Sequence, residues 1–306
     1  MQQRAFKQVD VFTATAYLGN PLAVVLDGRD LDDAAMQSFA RWTNLSETTF
    51  VLPPLDAAAD YRLRIFTPGG ELPFAGHPTL GSCHSWLEAG GQPQHSDFII
   101  QQCSVGLIKI RRGLAEQALA FAAPALKQSS PSQLQLTQAA AALGLEMAQI
   151  LSAQILDNGP VWFSLLLDSP ETVLQISPNH AELQRLNLKI GVTAIYKKEV
   201  APALIARINR EARAFGQRTA SAQAEPDLEV RAFAACIGID EDPVTGSLNA
   251  SLAQWLMAEG RMPDSYTAAQ GCCMGRAGQV SLQRDSNGQV WVGGQSVTCI
   301  SGSVWL

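Results

Sequence analysis

The apolar residues of Val9 to Thr13 and Leu22 to Leu26 read as two strands, and Gly19-Asn20-Pro21 between them suits a tight connection. From Leu31 to Trp42 the spacing becomes helical, with Asp30 placed to cap the helix and Asp32 and Asp33 in the first turn, where the dipole favours negative charge. Asn44 to Leu52 begins polar and ends as a strand, which leaves Glu47 at the junction. A strand follows at Tyr61 to Phe66. Helical spacing resumes near Leu80, with Cys83, Trp86 and Leu87 on one stripe, and predicts a helix over Thr79 to Ala89. Phe98 to Ile110 and Ala118 to Phe121 supply further strands. Ala122 to Gln133, with Pro124, Pro131 and three serines, reads as a connector. Beyond it lie an alanine-rich helix over Thr137 to Leu151, a continuous apolar strand over Val161 to Leu167 and a short helix at His180 to Leu186. Strands are predicted at Val192 to Tyr196, Ala203 to Ile208 and Leu228 to Phe233, and a second long helix runs from Leu248 to Glu259. The chain ends on a hairpin of Gln279 to Leu282 and Val290 to Val292 around Asn287-Gly288, then Val297 to Leu306, which closes a sheet.

Part of this pattern occurs twice. Glu71 to Gly90 and Glu241 to Gly260 align without a gap at an offset of 170 and share an acidic first residue, a proline (Pro73, Pro243), a glycine (Gly76, Gly246) and a closing glycine. The preceding strands agree at an offset of 167, with Arg64 in the place of Arg231, and Gln101, Cys103 and Gly106 recur as Gln270, Cys272 and Gly275. A strand, a glycine turn, a helix and a second matched turn in the same order predict two similar lobes, residues 1–125 and 135–306, whose last strands can return to the first lobe.

Gly76 and Gly246 each lie just before a predicted helix. A glycine there lets the backbone approach a ligand, and the unpaired N–H groups of the first turn carry the positive end of the dipole. Two such helix starts, one per lobe and facing each other, would hold a carboxylate or an enolate-like oxygen between them. Two ordinary capped helices are the alternative reading.

Composition narrows the partners. The 306 residues are 47% hydrophobic and carry a net charge of −6, without a basic run longer than two residues, so nucleic acid and anionic membranes are not expected partners. The N-terminal stretch lacks a signal-peptide pattern and no segment has the length of a membrane span, which predicts a cytoplasmic protein. Six cysteines in so long a chain do not resemble a disulfide framework, and the four histidines show no metal-ligand spacing, so no metal site is expected. Neither a phosphate-binding lysine motif nor a dinucleotide fingerprint is present, so no cofactor is expected.

Glu47, the Gly76-His77-Pro78-Thr79 turn, and Asp242 with Gly246 and Ser247 are the polar groups that stand out. Each has a second reading: Glu47 as a solvated turn carboxylate, His77 as a structural imidazole, Asp242 as a helix-start carboxylate. Four motifs in order, Ser46-Glu47-Thr48, Phe74-Ala75-Gly76-His77-Pro78-Thr79, Asp242-Pro243-Val244-Thr245-Gly246-Ser247, and Gln270-Gly271 leading to Gly275-Arg276, resemble the phenazine-biosynthesis isomerase (PhzF-like) family. The resemblance implies an α+β fold like that of diaminopimelate epimerase, with two pseudo-twofold lobes, each a mixed sheet wrapped around a central helix. It also implies a cofactor-independent isomerase that moves a proton between carbons of a small anionic, carboxylate-bearing substrate, and a homodimer. Carried over by motif, Glu47 becomes the general acid/base, with His77 and Asp242 as further catalytic candidates and Gly76, Pro78, Gly246 and Ser247 around the substrate. A carboxyl shut between lobes loses hydration, which raises its pKa toward the working pH.

Two further functions stay open at this point. Related epimerases and racemases use two thiols, one before each glycine turn, where this chain has Ala75 and Thr245. Cys272 and Cys273 are the other thiol candidates, to be weighed against a role as inert buried packing. A non-catalytic small-molecule binding protein would keep the cleft without needing Glu47.

Overall fold

The computed structural model describes residues 1–112, 118–197 and 225–306. In the first lobe, β1 (Gln3–Val11) pairs antiparallel with β2 (Asn20–Val25), which runs parallel to β3 (Glu47–Leu52). Next come β4 (Tyr61–Thr67), antiparallel to β3, and β6 (Phe98–Cys103), parallel to β4, with the short β5 (Gly70–Leu72) also antiparallel to β4. The hairpin continues through β7 (Gly106–Arg112) to β8 (Leu119–Ala122).

The second lobe repeats these pairings one for one. β10 (Ile150–Asp157) is antiparallel to β11 (Val161–Leu167), and β11 is parallel to β12 (Ile190–Ile195). β13 (Leu228–Ala234) is antiparallel to β12 and to the short β14 (Ile239–Asp242), and parallel to β15 (Ser265–Gln270). β16 (Gly278–Arg284) and β17 (Val290–Gly294) complete it.

The lobes are joined by exchange. β8 pairs antiparallel with β17 across the boundary, β9 (Lys127–Ser129) crosses to pair with β10, and β18 (Ser296–Trp305) returns to pair with β1. The pairings thus run unbroken from β18 through β1, β2, β3, β4, β6, β7 and β8 to β17, β16, β15, β13, β12, β11, β10 and β9. The region read as a bare connector therefore contains a strand.

Each sheet curls around a helix buried along most of its length, Gly76–Glu88 in the first lobe and Gly246–Ala258 in the second. Leu248, Leu252, Trp255 and Leu256 are fully buried, and Gly81 lets the first helix lie on Val9, Val11 and Leu22, since a Cβ there would come within 2.7 Å of Leu22 Cδ2. Side chains of both lobes form one continuous core. The arginines and glutamates that the repeat aligns are found paired in both lobes: Arg64 grips Glu71 with two bonds of 2.7 Å, and Arg231 grips Glu241 with two of 2.9 Å.

Several predicted elements shift. The cap of the first helix (Asp33–Thr43) is Asp32, whose side chain accepts from Ala35 N, while Asp30 sits in a left-handed turn. The helix expected over Thr137 to Leu151 spans Gln133–Leu143 and stops at Gly144, at φ +69°; the Ile150 end of the prediction belongs to β10. A helix at Pro170–Gln175, capped by Ser169, was not foreseen. The central helices begin at the glycines themselves, three and two residues earlier than predicted, so Gly76 and Gly246 are first helical residues. The strand predicted at Ala203 to Ile208 lies outside the described residues.

Candidate active site

The two helix starts meet. A Cβ built on Gly76 would lie 3.2 Å from Gly246 Cα, and one built on Gly246 would lie 3.2 Å from Gly76 Cα. Ala75 and Thr245 occupy the N-cap positions and neither supplies a side-chain cap, so the first amides of both helices lack the acceptor that a cap normally provides. Dipoles and amides of opposite lobes converge on one place. Pro78, buried in the first turn, adds shape but no N–H.

Glu47 opens β3 opposite Leu22 of β2, and its side chain is only 13% exposed. Its Oε2 lies 3.3 Å from His77 Nε2, and neither atom has a well-aligned hydrogen-bond partner among the described residues. Burial, and then the charge of Asp242, pushes the Glu47 carboxyl up to about 8, while burial pushes the His77 imidazole down to about 3. At neutral pH the contact therefore joins a protonated carboxyl to a neutral imidazole, not an ion pair. The reading of Glu47 as a solvated turn residue is excluded by this burial.

Asp242 ends β14 in the other lobe. Its Oδ2 accepts from Thr245 Oγ1 at 2.6 Å and its Oδ1 from Asn20 Nδ2 at 3.0 Å. Burial raises its pKa to about 6 against the lowering effect of those two bonds, with Glu241 adding to the rise. Asn20 Nδ2 also donates to Val244 O at 3.0 Å and stands 3.4 Å from His77 Nδ1. Glu47, His77, Asn20 and Asp242 thus form a buried polar row that crosses the lobe boundary.

Gln270 fastens the second helix start: its Oε1 accepts from Thr245 N and Asn249 Nδ2, and its Nε2 donates to Asp242 O and Thr245 Oγ1. Gln101, its equivalent, accepts from Tyr61 OH and donates to Thr79 Oγ1 beneath the first helix start. Ser247 Oγ accepts from Trp162 Nε1 at 3.1 Å, and its carbonyl accepts from Asn158 Nδ2 at 3.0 Å. Gln270 belongs to the fourth sequence motif, whereas Asn158 and Trp162 carry no sequence signal and Asn20 appears in the sequence only as part of a turn.

Cys272 and Cys273 are exposed, which corrects their reading as buried packing residues. Cys273 Sγ donates to Leu174 O at 3.5 Å. Among the described residues no group of three or more His, Cys, Asp or Glu side chains has the grouping to hold a metal ion, and no helix is long and apolar enough to cross a membrane.

A model of the PhzC-PhzF family, described as phenazine biosynthesis-like protein, matches residues 9–302. The chain belongs to this family. Among PhzC-PhzF relatives, antisense-enhancing sequence 1 of Schizosaccharomyces pombe is 35% identical over 100% of both chains. Trans-2,3-dihydro-3-hydroxyanthranilate isomerase of Pseudomonas aeruginosa is 29% identical over 97% of this chain and 98% of its own. A solved PhzF-family protein of Bacillus anthracis superposes over 100% of both chains with a TM-score of 0.80 at 21% identity. The fold extends further, to a probable proline racemase of Agrobacterium radiobacter, with a TM-score of 0.61 at 11% identity over 99% of this chain and 93% of that one. The two-lobed α+β fold expected from the resemblance is the one found, and family membership makes the chain an enzyme of the isomerase class.

Proposed function

We propose that the protein moves a proton between carbons of a small carboxylate-bearing substrate, with Glu47 as the group that carries it and no cofactor taking part. One observation carries the reading: a carboxyl raised to about 8 between two lobes, with an oxygen that no group among the described residues hydrogen-bonds, beside two helix starts without a side-chain cap. The helix starts suit the substrate's anionic oxygen, and they stabilise negative charge that grows on it as a neighbouring carbon loses a proton. Glu47 in its carboxylate form takes that proton, becomes the neutral acid that its surroundings favour, and returns the proton at another carbon. The neutral His77 can pass a hydrogen bond to the reacting system without adding charge, and Asp242, tied by Asn20 and Thr245, holds a fixed second carboxyl nearby.

A two-thiol racemase is less well supported. Ala75 has no thiol, Thr245 uses its hydroxyl on Asp242, and the helix's own Cys83 is fully buried with its pKa pushed up to about 12. A purely binding role would leave Glu47 without a purpose, because an unpaired buried carboxyl opposes folding. The protein is taken to act in the cytoplasm on a small molecule.

The test is deuterium uptake from D2O into carbon-bound positions of candidate substrates, beginning with trans-2,3-dihydro-3-hydroxyanthranilate, after which the isomerase relatives of Pseudomonas aeruginosa and Pseudomonas fluorescens are named. Glu47→Gln keeps the shape and removes the proton carrier, so exchange and turnover fall by about 10²- to 10⁴-fold while ligand affinity changes much less. Near-normal turnover in that variant would overturn the assignment.

A further inference from the structure

Ser247 in the second lobe and His77 in the first stand at the same place in the repeat, each the second residue of its central helix. His77 lies beside Glu47, and because the two helix starts meet, Ser247 belongs to the facing wall of the same site. An asparagine approaches each of them. Asn20, where β1 turns into β2, brings Nδ2 to 3.4 Å from His77 Nδ1, and Asn158, where β10 turns into β11, donates from Nδ2 to Ser247 O at 3.0 Å. The second lobe adds a donor, Trp162 on β11, whose Nε1 donates to Ser247 Oγ at 3.1 Å. The Trp162 ring is buried in the core that both lobes share, and a ring packed there has little freedom to turn, so its N–H keeps one direction. Asn158 is only 6% exposed, and its Oδ1 is buried without a partner among the described residues, an arrangement that costs stability. Two buried side chains of one hairpin thus converge on a serine that is itself half-buried.

A hydroxyl has one hydrogen to give and two lone pairs to accept with. With the indole N–H on one lone pair, the O–H of Ser247 is turned away from Trp162, and a donor on its oxygen makes the hydroxyl a stronger donor in turn. On the reading that the helix starts receive the substrate's carboxylate, we propose that Trp162 is a positioning residue for binding, fixing the Ser247 hydroxyl so that it donates to that carboxylate. Trp162 touches no reacting atom. It acts through Ser247 and on affinity, because Glu47, which carries the proton, stands in the other lobe. A structural role makes a different demand: a buried indole N–H needs an acceptor, and Ser247 supplies one. In that case loss of the N–H weakens the fold and leaves the ligand's affinity alone.

Titration of the nitrogen-15-labelled full chain with benzoate, a carboxylate without a hydrogen that the enzyme could move, tests this. Among the six tryptophans, the indole N–H of Trp162 is the cross-peak that disappears in Trp162→Phe and shifts in ligand-free Ser247→Ala. In the unaltered chain it moves as benzoate binds. Trp162→Phe keeps an aromatic ring and removes the N–H, so the dissociation constant of benzoate rises about 3- to 10-fold, as it does in Ser247→Ala, and joining the two changes raises it no further. Ser247→Ala leaves the core intact and decides the matter should Trp162→Phe not fold: in it the Trp162 cross-peak no longer answers to benzoate. Glu47→Gln separates this proposal from the proton-transfer reading, since its cross-peak and its affinity follow the unaltered chain's while exchange is lost. An unaltered chain that exchanges no deuterium yet shows the coupled response would sink that reading and support this one. A Trp162 cross-peak unmoved by tens of millimolar benzoate, one that still moves in Ser247→Ala, an unchanged affinity in Trp162→Phe, or losses that add in the double variant would each overturn the proposal.

Discussion

The side-chain amide of Asn20 reaches across the lobe boundary to Asp242, donating to its Oδ1 at 3.0 Å. Its other hydrogen goes to Val244 O, also at 3.0 Å, so this one fully buried side chain holds the end of β14 and the approach to the second helix against the first lobe. Asn20→Ala removes both bonds and one of the two that lower the Asp242 pKa. We expect the acid limb of the activity profile to move to higher pH and kcat/KM to fall by about 10- to 100-fold through loss of alignment. A pH series on the variant checks both.

Glu47 makes stability depend on pH with a definite sign. Its pKa rises from 4.5 to about 8 on folding, so between those values the folded chain keeps a proton that the unfolded chain has lost. Stability therefore falls as pH rises through that window, and the full penalty is present above about pH 8. Asp242 contributes in the same direction between 3.8 and about 6. Glu47→Gln has no such proton to lose. Its unfolding free energy should exceed the parent's by about 1 to 3 kcal/mol at pH 8, and the two should converge near pH 4. Denaturant titrations at the two pH values measure the difference.

Gly76 is required for space. A Cβ there would come 2.8 Å from Phe121 Cζ and 3.2 Å from Gly246 Cα, so Gly76→Ala has to displace the ring or part the helix starts. A cost of about 1 to 3 kcal/mol is expected, as for other overpacked sites. A parted pair of helix starts should also raise KM and lower kcat together. Steady-state kinetics beside thermal melting separates the two effects.

Arg64 and Arg231 are equivalent residues that make the same ion pair in different surroundings. Arg231 and Glu241 have side chains 5% and 12% exposed, and Arg231 Nη1 also donates to Val173 O and Ile176 O at the end of a helix. Arg64 pairs with Glu71 and Asp33, whose side chains are 33% and 84% exposed. Arg231→Ala leaves a buried carboxylate and two carbonyls unpaired and should cost about 3 to 5 kcal/mol. Arg64→Ala should cost about 1 kcal/mol or less. Equilibrium unfolding of the two variants under one set of conditions makes the comparison.

The duplication was legible because it left chemistry behind. Arg64 with Glu71 and Arg231 with Glu241 stand at matching places in the sequence and at matching places in space. Glu47 could be placed at the mouth of β3 from the change of period around it, and its burial followed only once the lobes closed. Asn20 was missed because Gly19-Asn20-Pro21 has the composition of any turn, and the partners that give the asparagine its role lie more than two hundred residues away. The helix over Thr137 to Leu151 was drawn too long because the alanines ahead of Gly144 and the apolar residues of Ile150 to Leu156 merge into one apolar stretch. Period alone does not separate a buried helix from the buried strand that follows it. Cys272 and Cys273 show the limit for side chains: a cysteine's burial depends on what packs over it, which no local pattern records.

The exchange of end strands also governs how the chain can be made. β18 follows all the other strands in the chain, so the flank of β1 that it covers stays unpaired until β18 has been made. Contacts so remote in sequence slow folding, and an open strand edge during that wait invites pairing with other chains. Loss of β18 would leave that vulnerability permanent: the chain could form every other strand pair and still present one flank of β1 bare, so it should accumulate as aggregate rather than as a weakened enzyme.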